Sequence, residues 1–134
     1  MRIVIDTNLV ASAIFFGGKP AELLKLVLLR HQVLALATAE IIEEYQATIN
    51  YLLEKYKGKK LNFTLLPLVS AMEIINSTSK VAICRDSDDD KFISCAIDGK
   101  CSYVVSGDKD LLTLKKYQNI QIVTVANFLR LLFC

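Results

Sequence analysis

The chain has 134 residues and a mass of 15.0 kDa, the size of one ordinary domain, so a single domain over residues 1–134 is expected. Hydrophobic residues make up 53% and charged residues 22%, a balance that excludes disorder. Sixteen basic against fourteen acidic residues leave a net charge of +2. That sum is too small to announce a nucleic-acid partner, but a total can hide segregation of sign: seven of the eight Asp residues lie at or beyond Asp86, while Asp6 stands alone near the start.

Arg2-Ile-Val-Ile-Asp6 is a short apolar run ending in a carboxylate, the pattern of a buried parallel strand with a polar tip. Thr7-Asn8 leads into the apolar stretch Leu9–Phe16, and Gly17-Gly18-Lys19-Pro20 breaks the chain. Pro20 suits the first turn of a helix over Ala21–Arg30, whose leucines recur at helical spacing. Gln32–Leu36 reads as a second strand. Thr38 is a plausible N-cap for a long helix through Ile41, Ile42, Tyr45, Ile49, Leu52 and Leu53. The basic segment Lys55–Lys60 ends it.

Leu65–Ile75 reads as a further helix and Val81–Ile83 as a third strand, followed by the acidic run Asp86–Asp90. Phe92, Ile93, Ala96 and Ile97 give an apolar face to a helix ending near Gly99. Tyr103–Val105 is a fourth strand, leading to Ser106-Gly107-Asp108. A short helix around Leu111–Leu114, a fifth strand at Ile120–Val123 and a closing helix over Ala126–Leu132 complete the chain. Strands alternating with helices predict an α/β fold, a central parallel sheet of about five strands flanked by helices.

Mean hydropathy is +0.39, yet the longest stretch without a charge, Tyr117–Leu129, has 13 residues and four polar amides. A membrane span needs ~18, so none is expected, and Asp6 interrupts any signal-peptide core. Cys84, Cys95, Cys101 and Cys134 form no CxxC pair, and His31 is the lone histidine. Small buried hydrophobes in a reducing cytoplasm are the expectation, without zinc.

In an open parallel sheet, ligands bind beyond the carboxyl ends of the strands. Asp6, Asp86–Asp90 and Asp108 each follow a strand, so they gather at one edge. Carboxylates so gathered raise one another's pKa unless a cation offsets them, and oxygen-only ligands suit Mg²⁺ or Mn²⁺. Each group also has a plainer use: Asp6-Thr-Asn8 as a helix N-cap, the acidic run as a solvated loop with first-turn acids. A calcium loop is excluded, because Lys91 stands where that loop needs Gly and Ile97 where it needs Glu. Glu44 lies at the margin of its helix's apolar stripe, where an exposed Glu is ordinary.

Ile3-Val-Ile-Asp6-Thr-Asn8 with Ser12-Ala13, Gly17-Gly-Lys-Pro20, Asp86-Ser-Asp-Asp-Asp-Lys-Phe92 and Val105-Ser-Gly-Asp-Lys-Asp-Leu-Leu112 together resemble the motifs of PIN-domain nucleases. The resemblance runs over residues 1 to 128, and its nearest branch is the VapC-like toxin components of type II toxin–antitoxin systems. It implies a Mg²⁺- or Mn²⁺-dependent endoribonuclease centre of about four acids. Asp6, Glu44, Asp90 and Asp108 match the family's acids, with Asp6, Asp90 and Asp108 as metal ligands. Asn8 and Ser106 match supporting polar positions. Asp90 is preferred to Asp86 or Asp89 on its spacing of 18 residues from Asp108, with Asp86 and Asp110 as auxiliary acids. Thr38-Ala39 and Ser87 depart from Ser-Pro and Pro in the family pattern, and neither departure removes a carboxylate.

Further expectations are an RNA substrate, a cognate antitoxin and a homodimer. Lys55, Lys57, Lys59 and Lys60, interleaved with Tyr56 and preceded by Tyr51, are candidate RNA contacts, although lysines also complement the dipole of a solvated helix end. Two other classes fit parts of the pattern. One is a non-catalytic partner-binding module; the other is a phosphoacceptor receiver domain, which also clusters Asp and Mg²⁺ at strand ends.

Overall fold

The computed structural model describes residues 1–133. Six strands form one sheet: β1 (Arg2–Ile5), β2 (Leu34–Ala37), β3 (Glu73–Ile74), β4 (Tyr103–Val105), β5 (Lys116–Tyr117) and β6 (Ile120–Val123), in the order β3-β2-β1-β4-β6-β5. All neighbours are parallel except the β5–β6 hairpin. Seven helices are described: α1 (Thr7–Phe15), α2 (Gly18–Leu29), α3 (Ala39–Lys55), α4 (Leu65–Ala71), α5 (Asp90–Asp98), α6 (Lys109–Leu114) and α7 (Val125–Phe133). Among the described residues no helix is long and apolar enough to cross a membrane. The expected α/β class and parallel sheet are present, with one strand more than counted from the sequence. A receiver sheet runs 2-1-3-4-5; here the third strand lies outside the second, which excludes that alternative.

β1 sits between β2 and β4, which pair both its edges, and Ile3, Val4 and Ile5 are wholly buried, so both its faces are covered as well. That is why the run is continuously apolar rather than alternating. α3 turns Ile41, Tyr45 and Ile49 to the interior, a stripe spaced four residues apart, and the Ile41 N–H donates to Thr38 Oγ1 at 3.2 Å as the expected cap. The wholly buried Tyr45 donates its hydroxyl to the Ile5 carbonyl at 2.6 Å, which pins α3 to the end of β1. At the far end of α5, Gly99 closes the helix on β2: a Cβ there would lie 2.6 Å from Leu36 Cδ2 and 2.9 Å from the Cys95 carbonyl.

The chain from residue 65 to 90 differs from expectation. α4 stops at Ala71, and the end of the expected helix is β3: Ile75 donates its N–H to the Ala37 carbonyl at 2.9 Å, and Arg2 pairs with Glu73 at 2.6 Å. Val81–Ile83 forms no strand. Two carboxylates take up the backbone of this region instead of a ladder. Asp98 accepts from the Ser77 hydroxyl at 2.5 Å and the N–H groups of Thr78 and Ser79 at 2.9 and 3.0 Å, bonds led by Ser77 that hold its pKa down at about 2. Asp90 accepts from the N–H groups of Ile83 and Cys84 at 3.2 and 2.8 Å. Cys84, Cys95 and Cys101 are free thiols, the last two buried; Cys134 lies outside the described residues.

Tyr45→Phe removes the donor to Ile5 without changing shape. It is expected to destabilise the protein by about 1–2 kcal/mol, read as a lower urea midpoint at unchanged m-value. An unchanged midpoint would show that α3 is held by packing alone.

Candidate metal centre

Asp6 leaves β1 at the carboxyl edge of the sheet and is only 3% exposed. One carboxylate oxygen, Oδ1, accepts from the Leu9 N–H at 3.0 Å and caps α1. The other accepts from the hydroxyl of Ser106, the buried residue that follows β4. Ser106 Oγ in turn accepts from the Asp108 N–H at 2.9 Å, and Asp108 caps α6 through a 3.1 Å bond from the Asp110 N–H. A single relay thus runs from β1 through β4 to Asp108, built from two helix caps and one serine.

Asp89 enters the same place from a 3₁₀ turn, Ser87–Asp89, that precedes α5. It is 8% exposed, and its Oδ2 is buried with no hydrogen-bond partner. A small cleft of about 70 Å³ gathers Asp6, Asn8, Glu44, Thr48, Asp89 and Asp108. Glu44 is held from two sides: the Thr7 hydroxyl donates to Oε1, and Lys91 forms an ion pair with Oε2. Larger hollows, about 650 Å³ beside Gly17, Lys25 and Phe63 and about 300 Å³ beside Thr38, Asn76 and Lys91, each hold one carboxylate residue. Donor chemistry rather than volume marks an ion site.

Of the residues singled out in the sequence, Asp6, Glu44 and Asp108 meet in this cleft, with Asn8 at its exposed rim and Ser106 beneath. Asp90 does not line it: its carboxylate faces the loop amides of Ile83 and Cys84, and Asp89 stands in the cleft instead. Helical register does not separate the two: position 89 aligns with the buried Phe92 and Ala96, and position 90 with the buried Ile93 and Ser94. The choice is made by the donors each carboxylate meets, the Ile83 and Cys84 amides in the case of Asp90. Asp86, Asp89 and Asp110 form a second grouping, with one oxygen of each within 4.8 Å of the others, and Arg85 pairs with Asp110 at 3.3 Å. Thr7 and Lys91 carried no sequence signal of a role here, because each meets Glu44 only across the fold.

The exposed lysines lie elsewhere. Glu44 and Lys55 are eleven residues apart on α3, roughly 16 Å at 1.5 Å per residue. Lys55 lies over the Tyr56 ring at 5.5 Å and Lys59 over the Phe16 ring at 5.3 Å, while Lys57 pairs with Glu54 at 3.4 Å.

Burial raises the pKa of Asp6, against the opposing bond from Ser106. Asp89 is pushed up to about 7, first by burial and then by its contact with the Asp108 carboxyl. Two carboxyls in contact cannot both ionise without cost, so a proton or a cation must sit between them. Unfolded, the Asp89 carboxyl returns to its ordinary 3.8. The folded state therefore holds the extra proton between those values, and this contribution to stability is present below about pH 4 and lost as pH rises through about 7. Metal-free protein is expected to melt progressively lower across that window. Asp89→Asn is expected to flatten the decline and to melt on the order of 5 °C higher at pH 7.5; parallel pH profiles for the two proteins would refute this.

Residues 2–110 match the family model described as PIN domain. The chain is also 32% identical over 119 residues to the uncharacterized protein MJ1680 of Methanocaldococcus jannaschii, covering 86% of this chain and 76% of that one. PIN domains are as a class metal-dependent nucleases, and the carboxylate cluster here is compatible with a divalent ion. With most of its length matched and its acids gathered at the sheet edge, the chain belongs to the PIN domain family.

Proposed function

We propose that this protein is a Mg²⁺- or Mn²⁺-dependent endoribonuclease whose metal ligands are Asp6, Asp89 and Asp108, with Glu44 beside them. The observation that carries this reading is the buried, unpartnered Asp89 Oδ2 in a cleft shared with three further carboxylates. An acceptor buried without a donor costs stability, and an all-oxygen anionic donor set fits a hard cation. When bound, such an ion supplies charge neutralisation at a phosphodiester and acidification of water.

The remaining work falls to the chain. Ser106 holds the Asp6 carboxylate in one orientation and places the Asp108 backbone with the same oxygen. Thr7 and Lys91 hold Glu44, whose carboxylate then faces the cleft in a fixed pose and can orient an attacking water. Asn8 at the rim offers an amide to a phosphate or ribose oxygen. The reaction consumes one water: its oxygen bonds to phosphorus, the ribose oxygen departs, and the proton passes to that leaving oxygen. Asp90, expected from spacing to be a ligand, belongs in this reading to loop support.

Lys55, Lys57, Lys59 and Lys60 serve as the phosphate-binding flank, with Lys55 and Lys59 set over aromatic rings that a base can extend by stacking. The toxin role, a cognate antitoxin and a homodimer belong to the same proposal. Their support is apolar surface on neighbouring helices: Leu29 on α2 is 76% exposed, and Leu131 and Phe133 are exposed on α7, which packs against α2. A non-catalytic binding module is the second reading, favoured only if the acids hold no metal.

Cleavage of single-stranded and structured RNA with Mn²⁺ tests the assignment. Asp6→Asn and Asp89→Asn are each expected to cost more than the roughly 10–100-fold typical of outer-shell partners. Asp90→Asn is expected to stay within about tenfold of wild type while losing about 1 kcal/mol of stability. The reverse ranking of Asp89 and Asp90 would return the ligand role to position 90. Binding of uncleaved RNA by the Asp6→Asn protein tests the flank. Lys55→Gln with Lys59→Gln is expected to reduce the log–log salt slope by about 1.4, at about 0.7 per single-strand phosphate contact. An unchanged slope would leave these lysines as a solvated helix end.

A further inference from the structure

Four ion pairs are found among the described residues, and three of them are at the surface, with side chains a third or more exposed. The fourth, Lys91 with Glu44, is different: the lysine side chain is 12% exposed and the glutamate 32%. Lys91 is the second residue of α5, with its ammonium 5.5 Å from the Phe92 ring centroid, and Phe92 itself lines the acidic cleft. Burying a lysine stem this far is costly unless its charge is matched, and the match is a carboxylate of the proposed metal centre.

The carboxylates of the cleft differ in what they meet: Asp6 accepts from two neutral donors, and Glu44 is the one paired with a side-chain cation. Asp89 presents an oxygen with no partner. Glu44 has a partner at each oxygen, the neutral Thr7 hydroxyl at one and the Lys91 ammonium at the other. A two-ion phosphodiesterase site places a second cation roughly 3.5–4 Å from the first. On the Glu44 side of this cleft a monovalent cation already bonds to the carboxylate that such an ion would need. It also repels any divalent ion that approaches.

We infer that Lys91 is a positioning residue that stands in for a second cation: it holds Glu44 against Thr7 and keeps the Glu44 side of the cleft closed to a divalent ion, leaving one ion at Asp6, Asp89 and Asp108. This rests on the metal-centre reading above. It also gives Glu44 a fixed role as an orienting carboxylate rather than a ligand. The acidic trio of Asp86, Asp89 and Asp110 does not interfere with a test, because an ion held there would be counted alike with and without Lys91.

Calorimetric titration of the full chain with Mn²⁺ alone provides that test. Lys91→Met keeps the apolar stem and removes the charge; it is expected to bind one Mn²⁺ more than wild type, or to bind its weakest ion at least about tenfold more tightly. Lys91→Arg is expected to keep the wild-type isotherm, which separates charge from packing. Adding Glu44→Gln to Lys91→Met is expected to abolish the gain, since the new ion needs that carboxylate. A Lys91→Met protein that melts cooperatively yet titrates like wild type overturns the inference, as does a gain that survives Glu44→Gln. Lys91→Gln, which retains a neutral donor to Glu44, answers the same question if the Met variant does not fold. Failure of wild type to bind any Mn²⁺ is a separate outcome, and it overturns the metal centre together with the role of Lys91.

Discussion

Everything at the functional edge of this protein depends on one buried carboxylate. Asp6 is 3% exposed and would be costly to bury alone, yet it has hydrogen-bond donors from two directions, the Leu9 N–H and the Ser106 hydroxyl. Its own N–H donates to the Val105 carbonyl at 3.0 Å. One residue therefore ends β1, starts α1 and joins β4. Thr7, which holds Glu44, follows it directly, and Asp108 is placed by the same serine that donates to it. Tyr45, next to Glu44, anchors on Ile5, next to Asp6. Ile5 and Thr7, on either side of Asp6, are thereby matched to two adjacent positions in α3.

The second organising feature is repulsion. The fold brings Asp6, Glu44, Asp89 and Asp108 into one small cleft, and a chain without an ion must relieve that charge internally. Burial and Asp108 raise Asp89 toward neutrality, Lys91 balances Glu44, and Arg85 balances Asp110 at the margin. Natural sites keep such destabilising arrangements where function requires them. The same logic reinterprets the near-neutral net charge. With Asp6, Glu44, Asp86, Asp88, Asp89, Asp90, Asp108 and Asp110 set aside, sixteen basic residues face six acidic ones, so the remainder of the chain is strongly positive.

The fold was legible wherever local pattern and tertiary demand agreed. The apolar run of β1, the Thr38 cap and the four-residue stripe of α3 each state their own environment. Between residues 65 and 90 they disagreed. Glu73-Ile74 is too short to show strand periodicity and continues a helical pattern, and it pairs because Arg2 and the open edge of β2 lie opposite. Val81–Ile83 has the composition of a strand, but the N–H groups of Ile83 and of Cys84 after it are taken by Asp90 rather than by a neighbouring strand. A carboxylate hydrogen-bonding to backbone leaves no trace in hydropathy, so the choice between ladder and loop could not be read there.

The sequence by itself determined the class of fold, the edge at which the acids collect and the family to which the chain belongs, because these follow from periodicity, strand order and motif spacing along the backbone. Only the tertiary structure decided which of several neighbouring aspartates faces the cleft, and that Lys91 and Thr7 attend to Glu44. Six acids of that edge stand between residues 86 and 110, and a shift of one position rotates a helical side chain by about 100°. Spacing in the chain resolves a residue to its element; the direction of its carboxylate is set by whichever donors the rest of the fold leaves within reach.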